Sequence, residues 1–385
     1  MMRRQKVLQI ISLFVIILNS CDVDTDKIDT RGATVLLVNI DDNIKTETDF
    51  INAIDSIRFV VLKDSTITGV SKIVTCDSCY YILDKMQNAV SVLDRDGNLK
   101  YKLLKKGRSR QEYLEITDLS VSNQKITIYD QISMKVIDYD INTGEYLKSF
   151  DVQDTYSNIC QCDDDFLALY CSYGLHSSTN KMLTLYTSNT ISNYIDRPNY
   201  LNERINIEQS YPISRYMNQI YLTPLFSKFV YGIKSDSVKV RYNIDFGKHQ
   251  IPKGFYRKLD DEDANNMLGK IYKSDYAHSI DHFIETEDYI YFIFVYNIDD
   301  HSVYYNKKTA EFSLYKKTSF GDNTKMWACN NHVSNTKTEF ISLLYLANVS
   351  REENDADSIL KKLIRIAQGA NEEYEFAIAV YKFKT

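Results

Sequence analysis

Three observations predict an all-β chain of strand units stacked around an axis. The first is a repeat. The run Tyr81–Asp84 and the run Thr127–Asp130 each end on an aspartate, and Asp84 and Asp130 stand 46 positions apart. Asp94 and Asp140, each opening a turn that contains a glycine, stand 46 apart as well. The second is composition: 30 Tyr and 17 Phe against 12 Gly and 4 Pro suit half-buried pleated strands. The third is turn chemistry. Asp bonds its own backbone in turns, and Gly97 and Gly144 supply the positive φ such turns need.

A unit of this length with about four strands is the signature of a β-propeller blade. One blade cannot bury both its faces, whereas blades stacked in a ring do so and leave few open edges. Later units are less regular. Strands are predicted on either side of the Asp163–Asp165 turn, and over Phe229–Ile233, Val238–Tyr242, Tyr289–Tyr296, Val303–Tyr305 and Phe312–Tyr315, with a turn at Asp299, Asp300 and His301. Phe340–Leu346 and Phe376–Phe383 complete the set. The pattern lapses into loop or short helix between Tyr194 and Met217 and between Phe255 and Met267. Ile359, Leu360, Leu363, Ile364 and Ala367 share a helical face, so Asp355–Gln368 is predicted helical, stopped by Gly369. To close the ring, a terminal strand must pair with the other end. Thr34–Ile40 and Arg58–Leu62 are the N-terminal candidates, and the last strand of the chain is their partner.

The 385 residues are 44% hydrophobic and 25% charged, a balance that excludes a disordered chain. The formal net charge of -6 argues against nucleic acid, which needs a basic face. At the N-terminus, Arg3, Arg4 and Lys6 precede an apolar run from Val7 to Leu18. That run is too short to span a bilayer and reads as the core of a signal peptide covering residues 1–20. Leu18-Asn19-Ser20-Cys21 resembles the bacterial lipoprotein box, with Cys21 as the residue that becomes lipidated. Asn19 departs from the usual small or aliphatic residue, and the alternative is an ordinary secretory peptide with a chance cysteine. Loss of three basic residues with the leader leaves 43 basic against 52 acidic side chains. Residues 21–33, with Asp22, Asp24 and Asp26, read as an acidic tether, and 34–385 as the propeller.

Cys76-Asp77-Ser78-Cys79 has redox or zinc-site spacing but lies between two strand-like runs, so it reads as a hairpin turn with the two cysteines opposed, bridged or not. Cys160 and Cys162 share a strand face, a three-residue turn sets Cys162 opposite Phe166, and Cys171 faces the other side. Cys329 has no evident partner. Buried thiols are expected for most of them.

Four stretches resemble the six-bladed β-propeller lipoproteins of Bacteroidetes, relatives of NHL-repeat propellers. They are Ser56–Leu62, Lys106–Tyr113, Tyr242–Lys248 with Ile251-Pro252, and Val380–Lys384. Ser109 and Arg110 replace the Gly and Pro of that family's linker, and Glu375-Phe376 stands where Asn-Pro often precedes the final strand. The resemblance implies six four-stranded antiparallel blades and an exported, outer-membrane location, periplasmic or surface-exposed. In such lipoproteins an acidic leader accompanies display on the outer surface.

Candidate sites are few. Arg108 and Arg110 beside Gly107 form a candidate anion site, with Glu112 and Tyr113 as ligand-binding candidates; the duller reading is an inter-blade linker. His278 and His282 have i, i+4 spacing, which suits a metal only on a helix, and no H-E-x-x-H is present. Asp84, Asp94, Asp130 and Asp140 read as turn residues rather than acid/base pairs. The remaining histidines are His176, His249, His301 and His332. Phosphate-loop, dinucleotide and nucleophile-elbow motifs do not occur, so no cofactor is expected. The leading expectation is a lipid-anchored, non-enzymatic propeller that binds an envelope protein or a glycan. The rival is a lactonase- or lyase-type propeller, which needs carboxylates or amides converging on a divalent cation at the channel mouth. A third is a structural subunit of an outer-membrane complex.

Overall fold

The aspartate turns do organise the first two sheets. In the computed structural model, residues 29–42, 44–76, 79–163, 166–173, 175, 177–197, 209–234, 237–259, 264–320, 330–348, 361, 365, 369 and 373–385 are described. The leader, Cys21, most of the tether, Asp77-Ser78, Asp164-Asp165, His176 and Cys329 lie outside them.

Six sheets form the ring. Blade 1 comprises β3 (Lys72–Cys76), β4 (Cys79–Asp84), β5 (Ala89–Asp94) and β6 (Leu99–Leu103). Blade 2 comprises β7 (Asp118–Val121), β8 (Lys125–Asp130), β9 (Lys135–Asp140) and β10 (Tyr146–Asp151). Blade 3 holds β11 (Asn158–Asp163), β12 (Phe166–Tyr170), β13 (Lys181–Thr187) and β14 (Ile191–Asp196). Blade 4 holds β15 (Ile213–Tyr216), β16 (Gln219–Leu222), β17 (Phe229–Lys234) and β18 (Ser237–Asp245). Blade 5 holds β19 (His278–Glu285), β20 (Tyr289–Tyr296), β21 (Asp299–Asn306) and β22 (Glu311–Lys316). In blade 6 the chain ends meet: β23 (His332–Asn335), β24 (Phe340–Tyr345) and β25 (Phe376–Phe383) are completed by β2 (Ile54–Val61), antiparallel to β25. Of the two N-terminal candidates for closure, the Arg58 segment takes the place.

The Thr34 segment does something else. As β1 (Thr34–Leu37), it lies parallel to β18 as a fifth strand on blade 4. The chain then crosses blade 5, where the Lys45 amide donates to the Leu314 carbonyl, before entering α1 (Glu47–Ala53). Thr46 and Asp49 form a capping box there. After β2, the Lys63 amide reaches Gly97 of blade 1. One N-terminal segment therefore touches four of the six blades.

Packing explains the aromatic richness. Each of six apolar clusters fills one cleft between neighbouring blades. Between blades 5 and 6, Phe50 of α1 sits 5.7 Å from the Tyr315 ring and 5.8 Å from that of Phe383. The buried tyrosine hydroxyls hold linkers in place: Tyr139 donates to the Gln111 carbonyl, and Tyr291 to that of Asn330.

Asp84 accepts from the Thr68, Gly69 and Gln87 amides, and Asp130 from those of Leu114 and Ser133. Asp94 and Asp140 close their turns by accepting from Asn98 and Thr143 amides. Gly97 and Gly144 have φ of +79° and +68°. All four aspartates are turn residues, as predicted.

Several expectations need correction. The blade 5 turn falls at Asn297-Ile298, both at positive φ, so Asp299–His301 belong to β21. Two such residues make the primed turn that matches strand twist, and Ile298 hides the signal because a β-branched residue rarely adopts that conformation. A bulge between Gln161 and Asp163 pairs Asp163, not Cys162, with Phe166. The stretch between Tyr194 and Met217 contains inner strand β15, too short for periodicity to register. Between Phe255 and Met267 the chain does turn helical, with a 3-10 turn over Tyr256–Leu259 and the start of α2 (Ala264–Tyr272). Of the predicted C-terminal helix, the described positions Lys361, Arg365 and Gly369 are helical and exposed, so Gly369 is within it rather than its stop.

Candidate functional site

Four antiparallel strands per blade dictate where function can sit. The outermost strand of a blade ends on the side where the next innermost strand begins. The inter-blade linkers therefore share one face of the ring, and the turns joining first to second strands share the other. The innermost strands β3, β7, β11, β15, β19 and β23 contact one another in sequence around the axis.

They enclose a cavity of about 640 Å³ that extends to the turns at Cys76, Ser122–Gln124, Tyr216–Asn218 and Thr336-Lys337. Among the described residues its charged lining is Lys72, Arg215 and Lys337, with no aspartate or glutamate. Their surroundings differ. Lys72 is clamped by both Asp118 oxygens, at 2.8 and 2.9 Å, and Asp118 also accepts from the Ile159 amide. That buried pair ties blades 1, 2 and 3 together. Lys337 lies 3.6 Å from Glu287 at the solvent rim. Arg215 donates one Nη1 hydrogen bond, 2.8 Å, to the Gln161 carbonyl, and no carboxylate pairs with it among the described residues. Beside it in β15, the buried Ser214 hydroxyl has no hydrogen-bond partner.

Among the described residues no lining cysteine is activated as a nucleophile. Burial pushes the Cys160 thiol up, away from the reactive thiolate, with Arg215 only partly opposing it. Cys76 and Cys79 pair across β3 and β4 and remain thiols. The amides Asn123, Gln124, Asn218 and Asn335 line the wall, but Asn335 spends its Nδ2 on the Glu285 and Thr336 carbonyls. Among the described residues no three His, Cys, Asp or Glu side chains cluster where they could share a metal ion. His278 and His282 lie on β19, not a helix. The His282 Nδ1 lies 2.8 Å from the His332 carbonyl, and burial lowers His278 to about 4. A smaller cleft of about 240 Å³ between blades 2 and 3 contains the Lys125–Asp138 ion pair.

The linker of Arg108, Arg110, Glu112 and Tyr113 lies on the opposite face from those turns. Tyr113 is fully buried, its hydroxyl within 3.3 Å of the Asn88 and Leu103 carbonyls, and burial pushes it up to about 12. Glu112 folds over Gly107, where a Cβ would meet its Oε2 at 2.0 Å. The Ser109 amide holds its carboxyl below the usual range. Lys135 donates to the Ser109 and Glu112 carbonyls. Arg108 and Arg110 are exposed. The structure does not bring these four residues to the cavity. Arg215, which the sequence reading missed, lies in the very stretch where strand pattern lapses.

The comparisons agree with this architecture. A putative exported protein from Bacteroides fragilis superposes with a TM-score of 0.72 at 18% identity, over 91% of this chain and all of that one. A DUF4221 family member from Bacteroides vulgatus gives 0.50 at 10% identity, over 86% and 97%. Virginiamycin B lyase from Staphylococcus aureus gives 0.38 at 13% identity, over 68% and 73%, too distant a likeness to bear on activity. No curated protein matches the chain. Residues 29–342 match the model of the DUF5128 family, a 6-bladed beta-propeller. With six blades in its ring and a match over most of its length, the chain belongs to the DUF5128 family of six-bladed β-propellers.

Proposed function

We propose that this protein is a lipid-anchored recognition module of the cell envelope, presenting the cavity of its ring to a glycan or a partner protein. The observation that carries the reading is a central cavity whose charged lining residues, among those described, are all basic, with amide groups beside them. A rigid loop-lined mouth favours recognition, and Arg215, a cation with no carboxylate partner among the described residues, opposes the divalent ion that a lactonase- or lyase-type mechanism needs. The amides Asn123, Gln124 and Asn218 are the one feature that favours the enzyme reading. For the address, the basic residues, short apolar run and Leu-Asn-Ser-Cys box support export and acylation at Cys21. A putative exported protein of the same fold is consistent with that. No helix among the described residues is long and apolar enough to cross a membrane.

The test has two arms. Fatty-acid labelling in the native host should mark the protein and be lost in Cys21→Ala; label retained by that variant overturns the anchor. Pull-down of the acylated full chain from native envelope should recover a glycan or envelope protein. Turnover of a lactone by the pure protein with a divalent cation overturns the non-enzymatic reading.

A further inference from the structure

Arg215 is the feature that turns this cavity into a chemical preference. A guanidinium carries five N–H donors in a planar fork. Here one is spent, on the Gln161 carbonyl, and the side chain is half-buried in the wall of the ring. A charge removed from water without a carboxylate partner is unfavourable, and a protein that only needed to fold has cheaper residues for a strand this short. Lys72 makes the contrast: it lines the same cavity and has Asp118 at 2.8 Å. Lys337 stands at the turn end, paired loosely with a glutamate that is itself half exposed. Among the described residues, the lining cation with no carboxylate beside it is therefore Arg215.

The rest of the wall narrows the class. Asn123, Gln124 and Asn218 can donate to and accept from hydroxyls, and Tyr216 adds an aromatic ring at the same end. At about 640 Å³ the space matches small-molecule sites, which run from about 300 to 1,000 Å³.

We infer that the central cavity binds a sugar carrying an oxyanion, a carboxylate or a phosphate, with the Arg215 fork on the oxyanion and the turn amides on the hydroxyls. This rests on the recognition reading above and gives it a ligand class. The planar fork matches either oxyanion in two parallel hydrogen bonds, which a lysine cannot reproduce.

The experiment is calorimetric titration of the full chain in detergent with glucuronate, glucose 6-phosphate and neutral glucose. One or both acids should bind and glucose should not, and which acid binds tighter identifies the oxyanion. Arg215→Gln should weaken the acid by about tenfold to a hundredfold, and Arg215→Lys by less. A measurement on the unaltered protein does not depend on either variant folding: raising NaCl from about 0.05 to 0.5 M should weaken acid binding. Glucose binding as tightly as the acids, acid binding indifferent to salt and to Arg215→Gln, or no binding up to about 10 mM each overturn the assignment. If the acids fail while the envelope pull-down recovers a neutral glycan or a protein, the ligand class falls and the recognition reading stands. If both fail, recognition falls too.

Discussion

In blades 1 and 2 every strand follows its spatial neighbour in the chain, and each sheet is finished by its own turns: Asp84 and Asp94 in one, Asp130 and Asp140 in the other. In blade 6 the outermost strand comes from residues 54–61 and its neighbour from 376–383. Turn aspartates are replaced there by aromatic packing around Phe50, Tyr381 and Phe383. Buried histidines add to the contrast, since His278 and His301 sit in blade 5 and His332 in blade 6, whereas blades 1 and 2 have none. Local chemistry makes a sheet that its own sequence can specify. Closure makes a sheet that exists only once the ring does.

The largest effect should come from breaking closure. Removing residues 376–385 deletes β25, strips β2 and β24 of their partner and opens the cluster around Phe50. The expected result is cooperative loss of the whole fold, seen as collapse of the thermal melt. A truncated chain that melts like the full one would show that blades 1 to 5 stand alone.

An intermediate effect should follow acid. Burial depresses His278 to about 4, lowers His301, and holds His332 well below its usual range. Each imidazole takes up a proton more readily in the unfolded chain than in the folded one. Stability is therefore at full value above about pH 6.5 and declines as pH falls toward the folded values. For His278 alone the loss is on the order of 3 kcal/mol by pH 4. Hydrogen exchange at pH 5 against pH 7 should show blades 5 and 6 loosening before blades 1 and 2, and His278→Gln should flatten the pH slope. Uniform loosening would remove the distinction between the two halves.

The smallest effects should separate the two kinds of aspartate within a blade. Asp130→Ala leaves the part-buried Leu114 and Ser133 amides without their acceptor, at about 1–3 kcal/mol. Asp140→Ala opens an exposed turn and should cost under about 1 kcal/mol. Chemical denaturation of the two variants checks the order, and equal losses would mean the repeat is not carried by the buried position.

What the sequence disclosed follows the same division. The 46-residue spacing was legible because Asp and Gly carry turn chemistry that survives without context. The final strand was legible as a run of apolar and aromatic residues from Phe376 to Tyr381. The turn at Asn297-Ile298 was not, because an exposed isoleucine stands at positive φ where local preference would put glycine or asparagine. Nor was β15, whose four residues show no period and owe their conformation to β16 and the ring. The candidate site suffered most from this. Linker residues 107–113 stood out as a motif, whereas Arg215 is one residue in an unremarkable stretch and gains meaning only when six strands surround it.

The N-terminal segment that crosses blades 4, 5, 6 and 1 has a mechanical corollary. If the chain is pulled from its amino end, the first described element to bear load is β1, which lies parallel to β18 with four residues in register. Force along that strand stretches several backbone bonds at once, whereas force across a hairpin opens them one at a time. A pull at that end would therefore load the rim of the ring before its central opening.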